Sequence, residues 1–244
     1  SMIEKYFVTT MNRNLYHSYG HRLLESYEQT QQEIPMYVYC EDGFKELSHK
    51  NVVWLNLFQL EPECQAFVKR NNDKKPKGFM EDAVRFCYKV FAQCNASRFG
   101  NKMFYVDADS VFIKQIPNSW FEKCLPDDVF TSFYYREGLY TETGFIAFNN
   151  TKKCKSGFYD HYKNLYITDR VYTISAQTDC HTFDNTRKHY SVYGEEVYKE
   201  KRLGDGQKGH IMARCKFIGP YIDHRKGNRK EKNQSPEWVR ENHG

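Results

Sequence analysis

The chain has 244 residues, a formal net charge of +5 and 27% charged side chains. That length holds one large domain or two small ones, and no stretch has linker composition, so a single domain is expected. The charge excess is modest and lies largely between Arg214 and Arg240. It argues against a nucleic-acid binder, which carries a denser basic face, and favours anionic small ligands or an anionic surface.

Nothing in the chain approaches the roughly eighteen consecutive apolar residues that a membrane-spanning helix needs. The start lacks a signal-peptide pattern, and Ser1 before Met2 reads as the remnant of a removed tag. The expectation is a soluble, cytoplasmic chain of compact viral or bacterial type, or a lumenal fragment if an upstream segment has been removed. Eight cysteines without a Cys-x-x-Cys spacing point to reduced thiols rather than a metal cluster. The 19 tyrosines and 18 phenylalanines suit a core, and they suit sugar-binding clefts as well.

Taken in order, Tyr6 to Thr10 is a β-rich run, followed by a polar loop and a helix from Leu15 to Gln29. Strands are expected over Pro35 to Tyr39 and Val52 to Leu57. In open parallel sheets ligands sit beyond the carboxyl ends of the strands, which makes Thr9, Thr10, Asn12 and the Glu41–Asp42 turn candidate pocket residues. A helix from Glu61 to Asn71 precedes a charged loop over 72–78. The strongest helix signal runs from Phe79 to Asn95, where Ala83, Cys87, Val90, Phe91 and Cys94 make a buried stripe. Asp82, Arg85 and Lys89 fall on another face, as a salt-bridged surface or as cations able to meet a phosphate.

Lys102 to Ile113 is the stretch around which the rest is organised. An apolar run ends in Asp107-Ala-Asp109 and a second apolar run follows at once, so two carboxylates close a buried strand. Such carboxylates lose hydration and repel each other, and they persist when paired, hydrogen-bonded or bound to a cation. A solvated turn is the alternative. Later come a short helix around Trp120 to Lys123, strands at Asp128 to Tyr135 and after Gly144, a helix from Gly157 to Leu165, and a helix start near Asp179. Residues 181–210 are expected to be loop, and Lys216 to Ile222 a last strand leading into His224. The final segment, 231–244, is expected to be a loosely packed polar tail.

Hard oxygen ligands at Asp107 and Asp109 suit Mg²⁺ or Mn²⁺, and an imidazole from His224 shifts the preference toward Mn²⁺. Arg225, Lys226 and Arg229 would suit the phosphate oxygens that such a metal bridges. One metal, two carboxylates and several cations describe a diphosphate site.

Asp82-x-x-Arg85, the Tyr105 to Asp109 run, Thr143 to Asn149 and the late His224 followed by Lys226 and Gly227 together resemble the nucleotide-sugar-dependent glycosyltransferases of the GT-A fold. The likeness spans roughly residues 3 to 230. It implies a Rossmann-like α/β domain whose mixed sheet is flanked by helices, with a UDP- or GDP-linked sugar as donor and a glycan or other hydroxyl as acceptor. It also implies Asp107, Asp109 and His224 as metal ligands, Arg85, Asp82 and Lys89 as donor contacts, and Lys226 beside the phosphates. An inverting member needs a general base about 70 residues beyond the acidic turn, where Asp179 stands, with Glu142 as second choice. The segment after His224 lacks the aromatic and proline residues of some retaining members, so the stereochemical outcome stays open. Two rivals remain at this level. One is a Mg²⁺-dependent phosphatase of the haloacid-dehalogenase type, and the other is a non-catalytic carbohydrate- or anion-binding module.

Overall fold

Strand β1 (Ile3–Met11) and strand β4 (Gly100–Val106) lie in the middle of the sheet and are buried over most of their length. Both are covered on two faces, which is why they read as continuous apolar runs rather than as alternating ones. In the computed structural model, which describes residues 2–45, 49–194, 196–204, 210–225, 227 and 235, they pair in parallel, with Tyr6 opposite Met103.

Strands β2 (Met36–Cys40) and β3 (Val52–Asn56) extend the parallel sheet on one side. The short β5 (Ser110–Phe112) follows the acidic turn and leaves this sheet. Strands β6 (Thr131–Tyr134), β7 (Glu142–Asn149) and β8 (Glu200–Leu203) complete the other side, giving the order β3-β2-β1-β4-β7-β6-β8. Only β7 runs against its neighbours. A separate two-stranded ribbon pairs β5 with β9 (Ile222–His224), setting Ser110 opposite His224.

Helices cover both faces. Tyr6, Val8, Met103 and Tyr105 pack with the helices Pro62–Asn71, Ala83–Ala96, Lys155–Ile167 and Asp179–Tyr193. Phe7, Met11, Phe104 and Val106 face the other way, toward the helices His21–Gln29 and Asn118–Cys124 and the β5/β9 ribbon. The result is one α/β domain with a mixed seven-stranded sheet at its centre, as expected.

Several boundaries differ from the sequence reading for identifiable reasons. The first helical segment starts at Arg13, because the Asn12 side chain accepts from the Leu15 N–H at 2.8 Å and caps it. The helix expected from Phe79 begins at Ala83 instead, because Asp82 caps it and Phe79–Glu81 forms a separate 3₁₀ turn. Strand β6 starts only at Thr131, since Val129 N–H closes a turn on the Pro126 carbonyl.

Residues 216–221 are turns, not strand, in keeping with Gly219-Pro220, where proline offers no ladder donor. The first part of the expected 181–210 loop, through Tyr193, belongs to the helix Asp179–Tyr193. Its buried face includes Thr182, Asp184, Thr186 and Arg187, so its period has little apolar signature. Strand β8, with the sequence Glu-Lys-Arg-Leu, was hidden for the same reason. Of the expected tail, Ser235 alone lies among the described residues, and it is fully buried.

Candidate active site

The carboxyl end of β4 meets the amino end of β7 because the two strands are antiparallel. Asp107 N–H donates to the Gly144 carbonyl at 3.0 Å, and Ser110 N–H closes the turn on the Asp107 carbonyl at 3.1 Å. This tight turn holds both carboxylates on one side. The β5/β9 ribbon brings in the imidazole, with His224 Nε2 at 3.0 Å from Asp109 Oδ1 and 3.4 Å from Asp107 Oδ2.

Ligand atoms of Asp107, Asp109 and His224 all lie within 4.8 Å of one another. His224 Nε2 is buried and makes no aligned hydrogen bond despite these close approaches. A buried nitrogen set between two carboxylates, paired with them by charge and without an aligned hydrogen bond, fits a site able to take a cation. Gly144 makes this possible, because a Cβ there would stand 2.4 Å from His224 Cε1. Two carboxylate oxygens and one imidazole form a donor set that suits Mn²⁺ or Mg²⁺.

A second cluster adjoins the first. Lys89, projecting from the helix Ala83–Ala96, places Nζ 2.9 Å from Asp107 Oδ1 and 2.7 Å from Asp179 Oδ2. Thr143 accepts from Lys89 at 3.3 Å and donates to Asp179. Burial disfavours the Lys89 charge, yet the two carboxylates outweigh it and hold its pKa well above the usual value. For Asp107 burial works toward protonation, but Lys89 and His224 prevail and keep it far below the carboxylate range. Asp179 goes the other way. Burial raises it, Lys89 pulls it down, and the charge of Asp107 adds to the rise. For His224 burial opposes the charge, and Asp109 with Asp107 raises it to about 10.

These groups line a cleft of about 720 Å³ that also takes in Thr10, Asn12, Tyr19, Glu41, Phe79, Arg85, Arg136, Tyr140 and Glu142. Burial pushes the Glu41 carboxyl up to about 7, against hydrogen bonds from Thr10 and Asn12. Glu142 is largely committed, with Oε1 accepting from Gly144 N–H at 2.9 Å and Oε2 4.0 Å from Arg136.

Thr10, Asn12, Arg85, Lys89, Asp107, Asp109, Glu142, Asp179 and His224 are thus brought together around one opening. Thr9 and Asp82 are not. Thr9 alternates to the opposite face of the sheet from Thr10 and is fully buried, while Asp82 is spent on capping its helix. Lys226 lies outside the described residues.

Lys89 is no member of a solvated face, since it is 8% exposed and its charge is consumed within the protein. Arg136, Tyr140 and Tyr19 went unnoticed in the sequence. Arg136 and Tyr140 sit in the loop before Gly144, which only its polar composition marked, and Tyr19 lies on the π-helical turn Tyr16–Gly20, where no apolar period singles it out.

By sequence the chain matches no protein-family model and no curated protein. Its fold does match solved structures. Mouse xyloside xylosyltransferase 1 in its apo form superposes over 93% of this chain and 99% of that one, with a TM-score of 0.56 at 11% identity. The galactosyltransferase LgtC in complex with donor and acceptor sugar analogues covers 91% of this chain and 87% of its own, with a TM-score of 0.52 at 14% identity. The bifunctional glycosyltransferase WbbM covers 93% of this chain over 46% of its own length, with a TM-score of 0.50 at 12% identity. With its mixed seven-stranded sheet and the acidic turn at the end of β4, the chain has the GT-A fold that these glycosyltransferases share.

Proposed function

We propose that the protein is a metal-dependent glycosyltransferase that moves a sugar from a nucleoside diphosphate sugar to a hydroxyl acceptor such as a glycan. The observation that carries this reading is the convergence of Asp107, Asp109 and His224 within 4.8 Å, on the floor of a large cleft at the carboxyl edge of a GT-A sheet.

Asp107, Asp109 and His224 hold the cation, and their mixed oxygen and nitrogen donors favour Mn²⁺ over Mg²⁺. Bound there, a divalent cation supplies Lewis-acid neutralisation of the charge that develops on the departing diphosphate. Arg85 is exposed at the cleft and meets phosphate oxygens. Lys226, two residues beyond His224, is assigned the same task. Thr10 and Asn12 line the end of the cleft nearest β1 and β2 and contact the nucleoside, which we take as UDP- or GDP-linked. Lys89 keeps the Asp107 carboxylate aimed and fully ionised.

Where the reaction inverts the anomeric carbon, Asp179 receives the acceptor proton. Support for that role is its raised pKa and its place in the cleft wall. Glu142 is the weaker of the two carboxylates, because its oxygens already face Gly144 N–H and Arg136. Asp179→Asn is expected to lower turnover by about 100-fold or more while leaving nucleotide affinity near that of the parent protein.

The test is a thermal-shift screen against UDP, GDP, CMP and dTDP, each with and without Mn²⁺. A ligand that binds only the native state stabilises it by about 2.7 kcal/mol at a hundredfold excess over Kd. One nucleotide should raise the Tm only with Mn²⁺ present, and Asp109→Ala should abolish both that shift and sugar transfer with the fold intact. An active Asp109→Ala protein would falsify the assignment. Release of phosphate from a monoester, without nucleotide binding, would instead identify a phosphatase.

A further inference from the structure

His224 arrives on a strand of three residues paired with another of three. A two-stranded ribbon of that size is marginal in isolation, so its own ladder cannot fix an imidazole to within the tolerance of a metal site. The backbone around His224 is gripped from elsewhere. His210 Nε2–H donates to the His224 carbonyl. Ser235, eleven residues further along, donates its hydroxyl to the same carbonyl at 3.3 Å. Its backbone N–H donates to Asp223 Oδ2 at 3.1 Å, where Arg225 Nε also donates at 3.1 Å. Arg225 N–H then ties this segment to the Asp109 carbonyl at 2.9 Å.

Each of these donors has a buried destination. Asp223 and Ser235 are fully buried and His224 is 2% exposed. A charged side chain in that setting keeps its place only where its partners are held too. Among the described residues, Ser235 reaches both halves of the grip, the Asp223 carboxylate through its N–H and the His224 carbonyl through its hydroxyl.

Resting on the metal-site reading above, we infer that Ser235 is a positioning residue for the His224 ligand. Ser235 touches neither metal nor substrate. It acts by fixing the backbone from which the imidazole is presented, as groups behind a ligand do in metal sites generally.

The experiment is a Mn²⁺ titration of the full chain without nucleotide, reading free Mn²⁺ by electron paramagnetic resonance. It uses the parent protein, Ser235→Ala, His224→Ala and the double variant. Ser235→Ala keeps the N–H and loses only the hydroxyl, so the fold should survive. One hydrogen bond corresponds to about a fivefold rise in Kd for Mn²⁺. In the His224→Ala background, where the imidazole is gone but the carbonyl remains, Ser235→Ala should have no further effect on Kd.

Unchanged affinity in Ser235→Ala overturns the inference, and so does an equal loss in both backgrounds, because a purely structural role would weaken them alike. Failure of the parent protein itself to take up Mn²⁺ would remove the metal site, and the inference with it. The parent titration separates that outcome from the others.

Discussion

Lys89 sits 2.9 Å from Asp107 and 2.7 Å from Asp179, a single cation shared by two carboxylates that would otherwise repel each other in a desolvated wall. Removing one partner from such a group leaves uncompensated buried charge, which typically costs about 3 to 5 kcal/mol. Lys89→Met is therefore expected to lower stability by that order in urea denaturation at neutral pH, well beyond a surface lysine exchange. Glu41 poses the opposite problem, being a carboxyl whose burial raises its pKa to about 7 from the ordinary 4.5. Between those values the native state keeps a proton that the unfolded chain releases. Its contribution is thus intact at low pH and is lost as pH rises from 4.5 to 7. At about 1.4 kcal/mol per unit, discounted for partial exposure, the loss is about 2 kcal/mol. Glu41→Gln should gain stability relative to the parent by about that amount between pH 5 and pH 8, as read from paired denaturation curves. A difference that stays constant across that range would place the titration elsewhere.

At the level of elements, strand β7 does more for the site than any helix. Its first residues give Thr143 to the Lys89 cluster and Gly144 to the space beside His224. Gly144→Ala would set a Cβ 2.4 Å from the imidazole, and an overpacked site of this kind costs about 1 to 3 kcal/mol. The expected outcome is a lower Tm together with weaker Mn²⁺ binding, and retention of both would show that the ribbon yields. The helix Ala83–Ala96 supplies Lys89 and is started by Asp82, whose side chain accepts from the Arg85 N–H. Asp82→Ala should cost about 1 kcal/mol of stability. It should leave nucleotide affinity unchanged, and a loss of affinity would return Asp82 to the donor site.

At the level of the whole molecule, what could be read in advance followed burial. Strands β1 and β4 and the apolar stripe of the helix Ala83–Ala96 announced themselves, because elements enclosed on both sides are written in apolar residues. So did the acidic turn, since two carboxylates ending such a strand need a counter-charge, and the structure supplies Lys89 and His224. The helix Asp179–Tyr193 beyond its start and strand β8 had little apolar signature, because their inward faces include Thr, Asp and Arg whose partners extend to distant residues such as Thr141 and Glu200. The pairing of Lys89 with Asp179 joins residues 90 positions apart, and local sequence holds no signal for it.

The antiparallel seam between β4 and β7 has a consequence for how this chain can change. A one-residue insertion within β7 would shift its register against β4 and turn Thr143 and Gly144 to the wrong faces together, so that Lys89 and His224 lose their places in one step. The loop over 135–141, which leads into that strand and carries Arg136 and Tyr140 to the cleft wall, is outside the seam and can lengthen without that penalty. Tolerance of insertions therefore divides the cleft in two. One wall is locked to the sheet, and the other is open to drift, so that the second partner of the reaction can vary while the acidic turn stays as it is.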